Sequence, residues 1–190
     1  PILKGTEYYA PLKRLENVEN TTLFDYDLAL NLYYFTTMWK KRKKILKHKE
    51  LEIFTRDAGA KIDLLNLQWI CRAKKYYHLP EGEIYAMIIP ISLHLKKTEI
   101  RAMAQAEDVE QVYALIRNSW YGRLDLGNLE KGQSLEEPCR EVIDRIYELT
   151  SRKEPYSASV LNSYLYFKER EIEKIITTIE RIRYGVAAGI

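Results

Sequence analysis

Apolar residues recur along this chain every three to four positions, and that spacing predicts long helices. Leu28, Asn31 and Phe35 share one helical face, and Leu30, Tyr34 and Met38 share another. They predict a helix from about Phe24 that runs into the segment from Trp39 to Glu50. Ile62, Leu65, Trp69, Arg72 and Tyr76 make a second stripe, with Leu64, Leu67 and Cys71 beside it. A helix apolar over so wide an arc, roughly residues 51–77, is expected to be mostly buried. The longest stripe closes the chain. Leu161, Leu165, Lys168, Ile172, Ile175, Ile179 and Ile182 alternate steps of four and three, and Val160, Tyr164 and Phe167 widen its start.

Punctuation divides these stretches. Leu79, Pro80 and Glu81 end the second helix and start another, since Pro is favoured at a first helical position. Pro90 interrupts the most apolar run, residues 85–95. Thr98 is expected to cap a short helix. Asp108 and Gln111 have capping-box spacing ahead of a helix from about Val109 to Arg117. Gly122, Gly127 and Gly132 mark a loop over residues 121–134. Pro155 breaks the chain again, Ser157 or Ser159 caps the last helix, and Gly185 stands where it should stop. Period-two alternation of β-branched residues is nearly absent. The predicted fold class is all-α.

The two key helices echo each other. DLLNLQWICRAKKYY, from Asp63, aligns with EIEKIITTIERIRYG, from Glu171. Asp63 pairs with Glu171, Leu67 with Ile175, Lys75 with Arg183 and Tyr76 with Tyr184, at an offset of 108. Tyr9 and Leu12 echo Tyr121 and Leu124 at 112, and Leu30, Asn31 and Tyr34 echo Ile143, Asp144 and Tyr147 at 113. Three echoes in one order suggest two tandem helical units, residues 1–97 and 98–190.

Composition agrees with a packed helical chain. Its 190 residues can bury a real core, and 46% hydrophobic with 30% charged residues describes a globular protein. Eight Gly and six Pro are few, which suits long helices. A net charge of +3 does not by itself imply a nucleic-acid partner. Cys71 and Cys139 lack disulfide-framework or metal spacing, and are expected to be reduced thiols of a cytosolic chain. No apolar run approaches the roughly 18–20 residues that span a bilayer. No signal peptide is visible, and a start at Pro1 suggests a processed chain or a piece of a longer one.

Candidate chemistry is sparse. His48, His78 and His94 are scattered, so no metal site is expected, and there is no phosphate-binding GxxxxGK[ST] loop or nucleophile elbow. No cofactor is implied. Asp63 and Glu171 are expected to satisfy helix ends or basic partners such as Arg72. Cys71, on the buried helix, is expected to be inert. Trp69, Tyr76, Tyr147 and Tyr164 lie on or beside stripes and are expected in the core. Tyr8, Tyr9, Trp120 and Tyr121 lie off the stripes and divide evenly between packing and partner contact. A helix dipole explains Lys75 and Arg183, while Arg72 and Arg181 are equally open to docking on an acidic partner.

Seven cations, Lys40, Lys41, Arg42, Lys43, Lys44, Lys47 and Lys49, crowd one segment. The ordinary reading is a solvated helix face. The sharper one is a basic surface near a membrane or a nucleic acid, although the segment lacks the interleaved aromatics of a single-strand binder. A helical-repeat nucleic-acid-binding protein using residues 40–49 is therefore the alternative class.

The ordered set of signatures resembles the C subunit of V-type and A-type ATPases, homologous to the eukaryotic d subunit. It comprises DLLNLQWICRAKKYYHL from Asp63, AEDVEQVYALIRNSWYG from Ala106 and PYSASVLNSYLYFKEREIEKIITTIERIRYGV from Pro155. The resemblance covers nearly the whole chain. It departs at Arg181 and Lys174, where the family usually has Gly and Asn. The resemblance implies three related helical units in a funnel-shaped collar, of which this chain corresponds to the middle and last. It implies a non-catalytic adaptor that joins the membrane rotor ring to the central-stalk subunits, transmits torque, and lies peripherally on the cytoplasmic side. Nucleic acid is not an expected partner on that reading. Where the first unit would pack, exposed apolar surface and self-association are expected.

Overall fold

A computed structural model of the chain describes residues 3–16, 18, 20–124, 126 and 134–185. Eight α-helices occur among them and no strand, as an all-α fold requires. They are α1 (Tyr9–Lys13), α2 (Leu23–Ile45), α3 (His48–Arg72), α4 (Glu81–Met87), α5 (Lys97–Gln105), α6 (Val109–Asn118), α7 (Glu136–Lys153) and α8 (Ser159–Arg183). A π-helical turn, Ala73–Tyr77, extends α3, and a 3-10 turn, Trp120–Arg123, follows α6. Gly127 and Gly132 of the expected loop lie outside the described residues.

Packing divides the chain into two compact units, Pro1–Ile143 and Asp144–Ile190. In the first, α2 and α3 form an antiparallel hairpin joined only by Leu46 and Lys47. Arg42 Nε donates to Thr55 Oγ1 at 3.1 Å near its tip, and Phe35 packs with Ile62 further down. Gly59 lets the helices close, since a methyl there would lie 3.2 Å from the Trp39 ring and 2.9 Å from Leu93 Cβ. Thr22 starts α2, and its backbone N–H donates to Asp25 Oδ2 at 2.7 Å. The π turn ends on His78 in the left-handed region (φ 49°), just before Pro80.

The core is built on α3. Ile62, Leu64, Leu67 and Ile70 are wholly buried, together with Ile89, Leu95, Met103, Val112, Ile116 and Leu126 of the same unit. The buried arc differs from the stripe read in the sequence. Trp69 is half-buried, and Tyr76, expected in the core, is 59% exposed. The π turn is wider than an α turn, so it rotates Tyr76 away from the face that Ile62 and Ile70 share.

Two local expectations change and a third holds. Pro80 is the N-cap residue of α4, not its first helical residue. Thr98 lies inside α5, whose start is closed by Lys96 N–H donating to Glu99 Oε2 at 2.6 Å. Asp108 does cap α6, accepting from Gln111 N–H at 2.8 Å.

In the second unit, α8 returns along α7. Ser163 Oγ donates to the Tyr147 carbonyl at 3.1 Å, and the Tyr147 and Tyr166 rings stack at 4.6 Å. Tyr166 O–H donates to Asp144 Oδ1 at 2.8 Å, and Arg170 pairs with the same carboxylate. Tyr147 is buried as expected. Tyr164 is 57% exposed, because α8 turns Ser159 and Ser163 inward instead. Leu161, Leu165, Ile172, Ile175, Ile179 and Ile182 are all exposed. Their four-three spacing suits a helix partner rather than water.

Candidate functional site

Residues 88–95 follow α4 without regular structure, because Pro90 carries no N–H and bars a helix. Backbone groups in such a buried stretch need other partners. Two polar residues of α3 supply them. Asn66 is wholly buried; its Nδ2 donates to the Ile89 carbonyl at 3.0 Å and its Oδ1 accepts from Ile89 N–H at 2.9 Å. One turn earlier, Asp63 accepts from the N–H groups of Leu93 at 3.0 Å, His94 at 2.7 Å and Leu95 at 3.2 Å. Tyr121 O–H completes the set, donating to Asp63 Oδ2 at 3.0 Å.

Thus Asp63 binds neither a helix end nor Arg72. It ties an irregular segment and the 3-10 turn to the central helix. Four donors and no acceptor surround it, which is the environment of a carboxylate. Burial raises its pKa above the ordinary value, and the N–H donors of His94, Leu93 and Leu95 and then Tyr121 pull it back. Burial, reinforced by Asp63, also pushes the Tyr121 phenol up. The echo of Asp63, Glu171, is exposed and pairs with Lys168 at 2.6 Å.

His94 and Trp120 stack face to face at 3.7 Å beside this cluster. Burial pulls the His94 pKa below its ordinary value, and Asp63 opposes that pull. A His with a lowered folded pKa binds its proton less readily than the unfolded chain does. Stability from this group is therefore full above the unfolded value of 6.5 and is lost as pH falls below it. Melting curves from pH 7 down to pH 5 should show a falling Tm, and His94→Gln should flatten that fall. Asp63 contributes with the opposite sign: its raised pKa gives stability that is full below the ordinary carboxylate value and is lost as pH climbs through its folded value. A profile unchanged by His94→Gln would remove His94 from the account.

The remaining predicted contacts scatter. Tyr121 has no exposed surface, so packing is its role here, and Trp120 is half-buried. Tyr8 is 46% exposed and meets the Tyr33 ring edge-on, and Tyr9 is half-buried. Arg181 is exposed on α8. Arg72 is exposed and paired with Glu136 at 2.6 Å, and it helps line a groove with Phe24, Leu28, Trp69, Tyr77 and Met87. Sequence reasoning did not single out Asn66. The available signal was two polar residues three apart inside an apolar helix, followed by a Pro-broken apolar run that needed partners.

The basic residues gather at the end of the α2–α3 hairpin. Lys40, Lys41, Lys43, Lys44, Lys47 and Lys49 are exposed, and Ile45 at the apex is 70% exposed. Arg42 turns back, with its guanidinium 3.5 Å over the Trp39 ring. Cys71 and Cys139 are buried free thiols, and burial pushes Cys71 up to about 12. Among the described residues, no group of three or more His, Cys, Asp or Glu is placed to hold a metal.

Comparison with known proteins gives one family. The family model described as ATP synthase (C/AC39) subunit matches residues 1–189. The chain is 30% identical to the C subunit of the A-type ATP synthase of Pyrococcus abyssi, over 97% of this chain and 50% of that protein. It is 29% identical to the C subunit from Pyrococcus horikoshii, over 92% and 47%. It is 24% identical to that from Methanosphaera stadtmanae, over 94% and 49%. The chain thus spans about half the length of the curated relatives it matches. No solved structure matches it.

Proposed function

We propose a mechanical, non-catalytic role for this chain, which belongs to the ATP synthase (C/AC39) subunit family. It acts as a rotor adaptor of a V/A-type ATPase. It joins the membrane ring to the central-stalk subunits and carries torque between ion movement and ATP hydrolysis or synthesis. The observation that carries this reading is the family match across residues 1–189. A torque-bearing element must be stiff, and close-packed interiors have low compressibility. The burial of α3 and its polar ties to residues 89–95 and Tyr121 suit that demand.

The adaptor lies peripherally on the cytoplasmic side of the membrane. No helix among the described residues is long and apolar enough to cross a bilayer. The tandem units 1–97 and 98–190 are part of this reading, as the middle and last units of a collar. Tyr8, Arg72 and Arg181 are the predicted contacts with most exposed surface, and we retain them as candidate partner contacts.

Co-elution with purified central-stalk subunits on a sizing column tests the proposal, with duplex DNA as a parallel ligand. A stalk complex without DNA binding is expected, and Lys41→Glu with Lys44→Glu should leave stalk affinity within about twofold, as expected for exposed positions outside the contact. DNA binding with no stalk complex would move the chain to the nucleic-acid class. Failure to bind either would show that this stretch alone does not carry the stalk contact.

A further inference from the structure

We propose that the tip of the α2–α3 hairpin docks on an anionic lipid bilayer. The sequence between Asp27 and Glu50 contains no acidic residue, yet seven of the ten positions from Lys40 to Lys49 are Lys or Arg. Those ten carry +7 where the whole chain carries +3, so the other residues together carry −4. The fold concentrates this charge further. A two-residue connection between antiparallel helices gathers the last turns of α2 and the first of α3 at one end. Lys40, Lys43, Lys44 and Lys47 are exposed there and make no ion pair among the described residues, and Lys41 reaches Glu7 at 3.3 Å. Ile45 projects from the apex between Lys44 and Lys47.

This chemistry selects a lipid surface over the alternatives. Free lysines are mobile point charges, suited to a layer of headgroups rather than to one fixed carboxylate or phosphate. The one arginine of the tip, Arg42, is committed within the fold to Trp39 and Thr55. That stacking covers the Trp39 face, which removes the aromatic platform a single-stranded nucleic acid would use. An exposed aliphatic residue at the centre of a cationic tip can enter the headgroup boundary while the ammonium groups remain outside it. The contact needs only the tip and a bilayer, so it stands or falls apart from stalk binding.

Co-sedimentation of the chain with vesicles tests it. One set is phosphatidylcholine, and the other is phosphatidylcholine and phosphatidylglycerol in equal parts. Binding is expected to the second set alone, and to weaken as salt rises. The Gln replacements at Lys43, Lys44 and Lys47 together should weaken it on the order of a hundredfold, and Lys43→Glu, Lys44→Glu and Lys47→Glu together should weaken it further still. The same reversal at Lys74, Lys96 and Lys97, outside the tip, should leave most of the binding. The three tip residues are exposed and unpaired, so melting curves of both variants should match the parent. Equal binding to both vesicle sets, equal loss in the two charge-reversed triples, or no binding at low salt would overturn the proposal. Tight binding of duplex DNA without vesicle binding would overturn it as well, and would assign the tip to nucleic acid.

Discussion

Asp63→Ala should cost about 4 kcal/mol and lower the Tm by about 10 °C. The substitution removes the acceptor of four donors at once: the N–H groups of Leu93, His94 and Leu95, and the Tyr121 hydroxyl. A buried donor left without a partner costs about 1–3 kcal/mol. Leu93 and His94 are half-buried and can recover part of that from water, whereas Leu95 and Tyr121 are enclosed. The loss should therefore fall well short of the simple total. Asp63→Asn keeps the shape and one acceptor oxygen but turns an amide donor toward other donors, and should cost about 2 kcal/mol. Glu171→Ala, at the echoed position, removes an exposed, solvent-screened pair and should leave stability close to that of the parent. Urea unfolding of the three variants checks the ranking. A cost below about 1 kcal/mol for Asp63→Ala would show that water replaces the carboxylate and that residues 93–95 do not depend on α3.

The contrast between Asp63 and Glu171 shows where the sequence was legible and where it was not. Helix existence and most boundaries followed from local rules. The 3.6-residue period marked α2, α3 and α8, Pro80 and Pro90 marked the breaks, and the Asp108–Gln111 pair marked the start of α6. Those signals act within a few residues of chain. Which face of α3 is buried depends on residues far along the chain, 23 positions away for Ile89 and 58 for Tyr121, and the helix is apolar on several sides. Periodicity could not choose among those faces. The π turn then altered the register that would have carried Tyr76 inward. The role of Asp63 was hidden for the same reason, since its donors come from a segment broken by Pro90 and from a turn after α6. The basic tip was legible as composition, but only the hairpin geometry shows that its charges converge. The α8 stripe reads in sequence as one long apolar face, and the fold leaves it exposed.

Gly122→Ala should be the next most damaging change, at about 3 kcal/mol. Gly122 follows Trp120 and Tyr121 in the 3-10 turn, where the chain folds back on the end of α6. A methyl group there would fall on the Arg117 carbonyl, 2.5 Å from its carbon and 2.8 Å from the Arg117 Cα. Both are backbone atoms, so no side-chain rotation relieves the overlap, and the turn itself must shift. The shift moves the Trp120 ring off His94, which tryptophan fluorescence and near-ultraviolet circular dichroism would report. It also draws the Tyr121 hydroxyl away from Asp63. If that second displacement carries much of the cost, Gly122→Ala and Tyr121→Phe will not add. The Tyr121→Phe background has no hydroxyl to lose, so the glycine substitution should cost less there, by roughly 0.5–3 kcal/mol as residues in one network do. Strict additivity would confine the damage to the turn and Arg117, and would separate the turn from the hydrogen bonds that hold residues 93–95 on α3.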